Sequence, residues 1–169
     1  MISENAQQRL VRLAMVLITK WGNYSITYTP TAGGYKYFRM ITESWGIKFS
    51  RNPANIELNY DGQLAAWKRG LGPYCFGYTE IPNFFNNSRF YETTTLAFYV
   101  TETVPVLSSV MRDYCVTKDW EKKLNYKYWL KKIHNFFDYY YQNGNWFDEK
   151  ANNLGLKDGR VICIDFDTA

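Results

Sequence analysis

Histidine, cysteine and proline are scarce in this chain, with one, three and five copies in 169 residues. The single histidine, His134, and the widely separated Cys75, Cys115 and Cys163 form no Cys-x-x-Cys pair. That argues against a disulfide framework and against a structural zinc site. An odd, scattered set of thiols fits a reducing compartment, so a cytoplasmic location is expected. His134 has no evident partner in the sequence and reads as a helix-surface or core residue rather than a ligand. No apolar run approaches the roughly 18 residues that span a bilayer. Arg9 and Arg12 also interrupt the N-terminal apolar residues too early for a secretory signal, so no membrane association is expected. Charge of one sign is scarce as well, the net value being +4. The densest basic group, Lys118, Lys122, Lys123, Lys127, Lys131 and Lys132, is interleaved with Trp120, Tyr126, Tyr128 and Trp129. A nucleic-acid surface is built from such residues. The modest net charge favours a solvated helix face with its apolar stripe turned inward, and nucleic acid is not expected as a partner.

Aromatic residues are abundant, at 19% with fifteen tyrosines. A chain of this length is expected to bury one core and form one domain. Asn5 with Gln8 resembles a helix cap, and Leu10, Leu13, Ala14, Leu17 and Ile18 recur at helical spacing until Gly22. A β-meander is expected next, from Ser25–Thr29, Tyr35–Ile41 and Trp45–Phe49, with Ala32-Gly33-Gly34 as its first turn. Pro53 reads as the end of that meander. A short helix is expected over Asp61–Arg69, a strand at Cys75–Tyr78 and another at Thr94–Thr101. A break follows at Glu102–Pro105. Val106–Cys115 and Trp120–Tyr141 read as helices, the second ended by Asn143-Gly144-Asn145. Asp158-Gly159 is suited to a type I′ turn and predicts a terminal hairpin joining Leu154–Leu156 to Arg160–Phe166. Strands come first and helices later, an α+β pattern. It divides into an N-terminal helix over 1–23, a sheet-rich part over 24–104 and a helical part over 105–169. There is no internal repeat.

The C-terminal twenty or so residues carry the densest chemistry. Asp148 and Asn153 fall in an Asp-x-Lys-x-x-Asn pattern that includes Lys150, and Asp165 follows the apolar run Val161-Ile162-Cys163-Ile164. Phosphoryl transfer needs cations near the phosphates, oxygen ligands for a metal and an acceptor for the incoming hydroxyl proton. A carboxylate and an amide oxygen on one tight loop suit that work, and their hard oxygens suit Mg²⁺. A carboxylate just after a buried apolar strand needs an ion or hydrogen bonds to compensate it.

These residues resemble the catalytic loop and the metal-binding Asp-Phe-Gly of protein kinases, with Asp165-Phe166-Asp167 at the latter position and a hairpin between the two. Ile47-Lys48 resembles the strand lysine of that family, Gly33-Gly34-Tyr35 a shortened glycine-rich loop, and Phe98–Glu102 the fifth strand and hinge. The resemblance runs over roughly residues 24 to 167 and is nearest to small kinase-like proteins of bacteriophages. It implies a minimal two-lobed kinase-like fold that binds ATP and Mg²⁺. It assigns Asp148 as base and Lys150 as a contact to the transferred phosphate. Lys48, Gly33, Gly34, Gln63 and the backbone at Glu102 would serve the nucleotide, and Asn153 and Asp165 the metal. The acceptor would be a protein serine or threonine, in the host cytoplasm if the chain is phage-encoded.

Several positions depart from that pattern. Trp146 stands where the catalytic-loop histidine usually stands, and Asp167 replaces the glycine. Gln63 falls at the plausible place for the helix glutamate that pairs with the strand lysine, Glu57 lying too early. The residues that would form an activation segment do not follow Asp167. The resemblance is therefore to a kinase core truncated after its metal-binding motif, and a protein partner would have to present any substrate. The other reading open at this point is a pseudokinase that binds and redirects a host protein without catalysis, with Phe84, Phe85 and Tyr91 as candidate interface anchors.

Overall fold

The computed structural model describes residues 2–22, 36–50, 52–82, 95–114, 124–142, 147 and 149–166. Over these the chain is a mixed α+β protein that divides into two compact units. The first comprises residues 1–61 and 74–103, the second residues 62–73 and 104–169.

The first unit is built on a four-stranded antiparallel sheet of β1 (Lys36–Met40), β2 (Trp45–Ser50), β3 (Cys75–Pro82) and β4 (Thr95–Glu102), in the order β1-β2-β4-β3. Because β4 is antiparallel to both neighbours, β2 and β3 run parallel with β4 between them. Leu96 to Thr101 of β4 are all buried, so side chains on both faces of this strand are covered. A central strand with both faces covered carries a continuous apolar run rather than an alternating one, which is why Leu96-Ala97-Phe98-Tyr99-Val100 is apolar throughout. On β2, Ile47 and Phe49 are fully buried while Lys48 between them is half-buried. Helix α1 (Glu4–Gly22) lies against β3 and β4, with Ala14 and Ile18 buried. Its first turn is capped by Ser3, whose Oγ accepts the Ala6 N–H at 3.3 Å. The expected cap at Asn5 thus lies inside the helix, and the small hydroxyl before it satisfies an orphan donor instead.

Helix α2 (Pro53–Lys68) has 16 residues and begins eight positions before the expected Asp61. Proline has no N–H to lose in the first turn and its fixed φ suits that position, so Pro53 opens the helix rather than only ending the meander. Asn52 caps it, accepting the Asn55 N–H on its side-chain oxygen at 3.3 Å and the Ile56 N–H on its carbonyl at 3.2 Å. Strand β3 also extends beyond the expected Tyr78, through an irregularity between Phe76 and Thr79. Gly77 sits in that irregularity, and a Cβ there would lie 2.5 Å from Val11 Cγ2, so α1 occupies the space a side chain would need. Bulges of this kind admit residues that break strict alternation.

The second unit contains the last residues of α2, helix α3 (Leu107–Tyr114), helix α4 (Tyr126–Tyr141), the 3₁₀ turn Ala151–Asn153, and a hairpin of β5 (Leu154–Lys157) and β6 (Arg160–Cys163). Asp158 and Gly159 both adopt positive φ, 52° and 73°, as the predicted type I′ turn requires. The hairpin is shorter on its return side than expected, its register ending at Leu154↔Cys163. It is tied to neighbouring segments by backbone bonds from Leu156 N–H to Pro105 O and from Cys163 N–H to Leu71 O, both 2.9 Å. Helix α4 ends on Gln142 in the left-handed conformation, φ 51°. The long helix starts at Tyr126 rather than at the expected Trp120, since Leu124 and Asn125 form a turn with Asn125 at φ 49°; the expected terminator at 143–145, the expected strand at 25–29, positions 120–123, and Phe84, Phe85 and Tyr91 lie outside the described residues.

The core of this unit is aromatic. Phe136 and Phe137 of α4 are buried together with Phe147, Phe166, Leu107, Ile133, Leu154 and Val161. Phe137 is its hub, stacked on Phe166 at 6.1 Å with ring planes 12° apart, and 5.1 Å from Phe147. Aromatic pairs in such geometries add about 0.5–1.5 kcal/mol beyond their area burial.

Candidate functional site

In the first unit the expected residues centre on Lys48. Its Cα partner across the sheet is Tyr99 of β4, and its ammonium sits 5.8 Å from the centre of that ring. Tyr99 is fully buried, and Tyr60 of α2 contacts it edge-on at 5.5 Å. The backbone oxygen of Tyr60 accepts a contact from the Cys75 thiol at 3.8 Å. Burial pushes that thiol up to about 12; the Lys48 charge acts in the opposite direction and Asp61 reinforces the rise. Lys48 and Asp61 therefore both reach the same thiol with their fields, and Asp61 is a carboxylate of α2 that sequence reasoning passed over. Glu102 ends β4. Its N–H is donated to Tyr74 O at 2.8 Å, and its carboxylate accepts the Tyr74 N–H at 3.1 Å. The segment after the sheet is thereby fixed in direction at its first residue, and the Thr103 N–H is likewise donated to Ser44 O at 2.8 Å.

Gln63 is fully buried and belongs to the second unit. Its amide donates to the carbonyl of Pro73 at 3.1 Å, bracing the turn that follows α2. Gly33, Gly34 and Asp148 lie outside the described residues.

The second unit brings the backbones around Asn153 and Asp165 near one another. The carbonyl of Asn153 accepts the N–H of Ile164 at 3.0 Å, so Asp165 is the next residue along from that bond. The Asn153 N–H is in turn donated to Lys150 O at 2.8 Å, closing the 3₁₀ turn. Asn153 is buried at 7% exposure, Asp165 is half-buried and Lys150 is exposed. Asp165 is held from its own backbone side too, since the Cys163 thiol donates to its carbonyl at 3.0 Å.

Two buried rings flank this chemistry. Phe166 follows Asp165 and Phe147 precedes Asp148, and both rings pack on Phe137. The two polar motifs of the sequence are therefore anchored to one helix residue. Sequence reasoning missed this, because Phe147 and Phe166 lie outside any helical or strand periodicity and nineteen positions apart. His134, expected to lack a partner, pairs through Nε2 with the Glu149 carboxylate and meets Phe147 edge-on at 5.5 Å. The pair is exposed enough, at 32% and 56%, to be worth no more than about 1 kcal/mol.

Among the described residues no three of His, Cys, Asp and Glu gather into a metal site. The donor set at Asn153 and Asp165 is of another kind, one amide and one carboxylate. Mg²⁺ keeps several waters and takes substrate phosphate oxygens beside one or two protein ligands. A buried amide residue and a half-buried carboxylate residue, linked through the backbone of Ile164, are of the ligand types that demand calls for. No helix of the described residues is long and apolar enough to cross a membrane. The chain matches no protein-family model and no curated protein.

Proposed function

We propose that this chain is a minimal kinase-like domain that binds ATP with Mg²⁺, transferring phosphate to a protein serine or threonine when a partner presents it. The observation that carries the reading is the backbone bond from the Ile164 N–H to the Asn153 carbonyl, which ties the loop that bears the amide to the residue just before Asp165. Three further features support it. Lys48 is half-buried between the buried Ile47 and Phe49, the type-I′ hairpin separates the two motifs, and Phe147 and Phe166 share one anchor.

In this reading Lys48 contributes a cation to the phosphates, its ammonium standing over the Tyr99 ring. Asn153 and Asp165 would hold Mg²⁺, which when bound neutralises charge on the phosphate oxygens. Lys150, exposed at the start of the 3₁₀ turn, adds a second cation for the transferred group. Asp148 accepts the proton of the attacking hydroxyl. Gln63 favours a second reading, in which the chain binds nucleotide or protein without transfer. A glutamine can hydrogen-bond an ammonium but cannot neutralise it, and this amide donates to Pro73.

Thermal melting with Mg-ATP, and with ATP in EDTA, tests nucleotide binding. At a hundredfold excess over Kd a ligand adds about 2.7 kcal/mol, which raises Tm by about 5–10 °C for a chain of this size. The shift should need Mg²⁺ and should vanish in Asp165→Asn and Lys48→Met. A melting curve indifferent to Mg-ATP sinks the reading. Labelled ATP with a protein acceptor then separates the two alternatives: transfer lost in Asp148→Ala identifies the enzyme, and binding without transfer identifies the pseudokinase.

A further inference from the structure

A cleft of about 440 Å³ opens in the second unit beside the last turn of α2 and the tip of the β5–β6 hairpin. That volume is within the range of about 300–1,000 Å³ that small ligands occupy. Lys68, Lys157 and Arg160 line it with one carboxylate, Asp158, so three cations against one anion leave the wall with a charge of plus two. Trp67 and Ile162 give it an apolar side.

Lys68 has a local reason, since a cation in the last helical turn meets the negative end of the helix dipole. Lys157 and Arg160 stand at the turn end of the two hairpin strands. They are direct partners across the hairpin, so their side chains leave the same face. Like charges in that relation repel and weaken a hairpin. Arg160 is nonetheless held in place. Its guanidinium lies 5.9 Å from the centre of the Trp129 ring, and its Nη1 sits 2.6 Å from where a Cβ on residue 70 would be. Glycine there both adopts φ +72° without strain and clears the space for the guanidinium. A planar guanidinium held beside a second cation is prepared for an anion with several oxygens.

We propose that this cleft binds a small phosphorylated molecule carrying a planar ring, its phosphate on Arg160 and Lys157 and its ring against Trp67. The assignment is independent of the nucleotide reading, because it uses none of Lys48, Asn153 or Asp165.

Calorimetric titration of the full chain in EDTA, with inorganic phosphate and with phenyl phosphate, tests it. EDTA silences any Mg²⁺-dependent nucleotide site. Both anions should bind, phenyl phosphate the more tightly. Arg160→Gln and Lys157→Gln, at solvent-accessible positions that leave the core intact, should each weaken binding by about tenfold or more, as expected for loss of a charge-assisted hydrogen bond. Trp67→Leu should erase the advantage of phenyl phosphate, and Asp165→Asn and Lys48→Met should bind as the parent chain does. Absence of binding by either anion, equal affinity for the two, or undiminished binding by both the Arg160 and Lys157 variants overturns the proposal.

Discussion

Replacing Gly62 with alanine should destabilise the protein, against the usual sign for this change in a helix. In an unobstructed helix interior Gly→Ala gains about 0.5–1 kcal/mol, because glycine loses more backbone freedom on folding. Gly62 lies within α2, but a Cβ there would fall 2.1 Å from the Tyr141 hydroxyl oxygen and 3.2 Å from the ring carbon bearing it. The hydroxyl is buried, and the ring is braced by Phe137 at 5.2 Å and Tyr140 at 4.9 Å, so it cannot simply swing aside. Overpacking of this sort costs about 1–3 kcal/mol, which leaves a net loss of up to about 2.5 kcal/mol after the propensity gain. Urea unfolding of Gly62→Ala, Tyr141→Phe and the double variant closes a cycle. In the Tyr141→Phe background the offending oxygen is gone and the nearest remaining contact is the one at 3.2 Å. The cost of Gly62→Ala should then shrink or reverse, giving a coupling of about 1 kcal/mol or more. The reasoning fails if Gly62→Ala raises stability in the parent chain, or if its cost is the same in both backgrounds.

Two other consequences are open to measurement. Phe166→Ala should cost about 3–5 kcal/mol, as expected for a fully buried aromatic, and Phe166→Leu much less; equal midpoints for the two in urea would contradict the stacked core. The Cys75 thiol, held neutral chiefly by burial and raised from its ordinary 9.0 to about 12, contributes stability that is complete below about pH 9 and lost as pH climbs toward 12. Between about pH 9 and pH 10.5 the loss is on the order of 2 kcal/mol; Cys75→Ala should flatten that alkaline decline, and an unchanged slope would show that the thiol does not drive it.

Periodicity and turn chemistry made much of the architecture readable in advance. Asp158-Gly159 announced its hairpin because only a residue pair tolerant of positive φ fits that turn. The apolar stripe of Ile133, Phe136 and Phe137 announced α4, and the β-favouring run at Leu96–Val100 announced the central strand. Pro53 misled because a proline reads alike whether it stops a strand or opens a helix; the Asn52 cap decides the matter through hydrogen bonds. The full extent of β3 was hidden because its bulge breaks the alternation that marks a strand. Of the candidate site, the nearness of Asn153 and Asp165 followed from the hairpin between them. The aromatic anchor, Asp61 near the Cys75 thiol and the basic cleft depend on contacts between distant segments, which local pattern does not encode.

The second unit is assembled from two separated stretches of chain, and this constrains how it can be made. The acceptor at Leu71 O needs a donor that is 92 positions downstream, 163 minus 71. At a synthesis rate of about 5–20 residues per second, that carbonyl stays hydrated for about 5–20 s before Cys163 emerges. A fragment starting at Val104 would lack Ala66 and Leu71 from its interior and should need a peptide spanning 62–73, added in trans, to close.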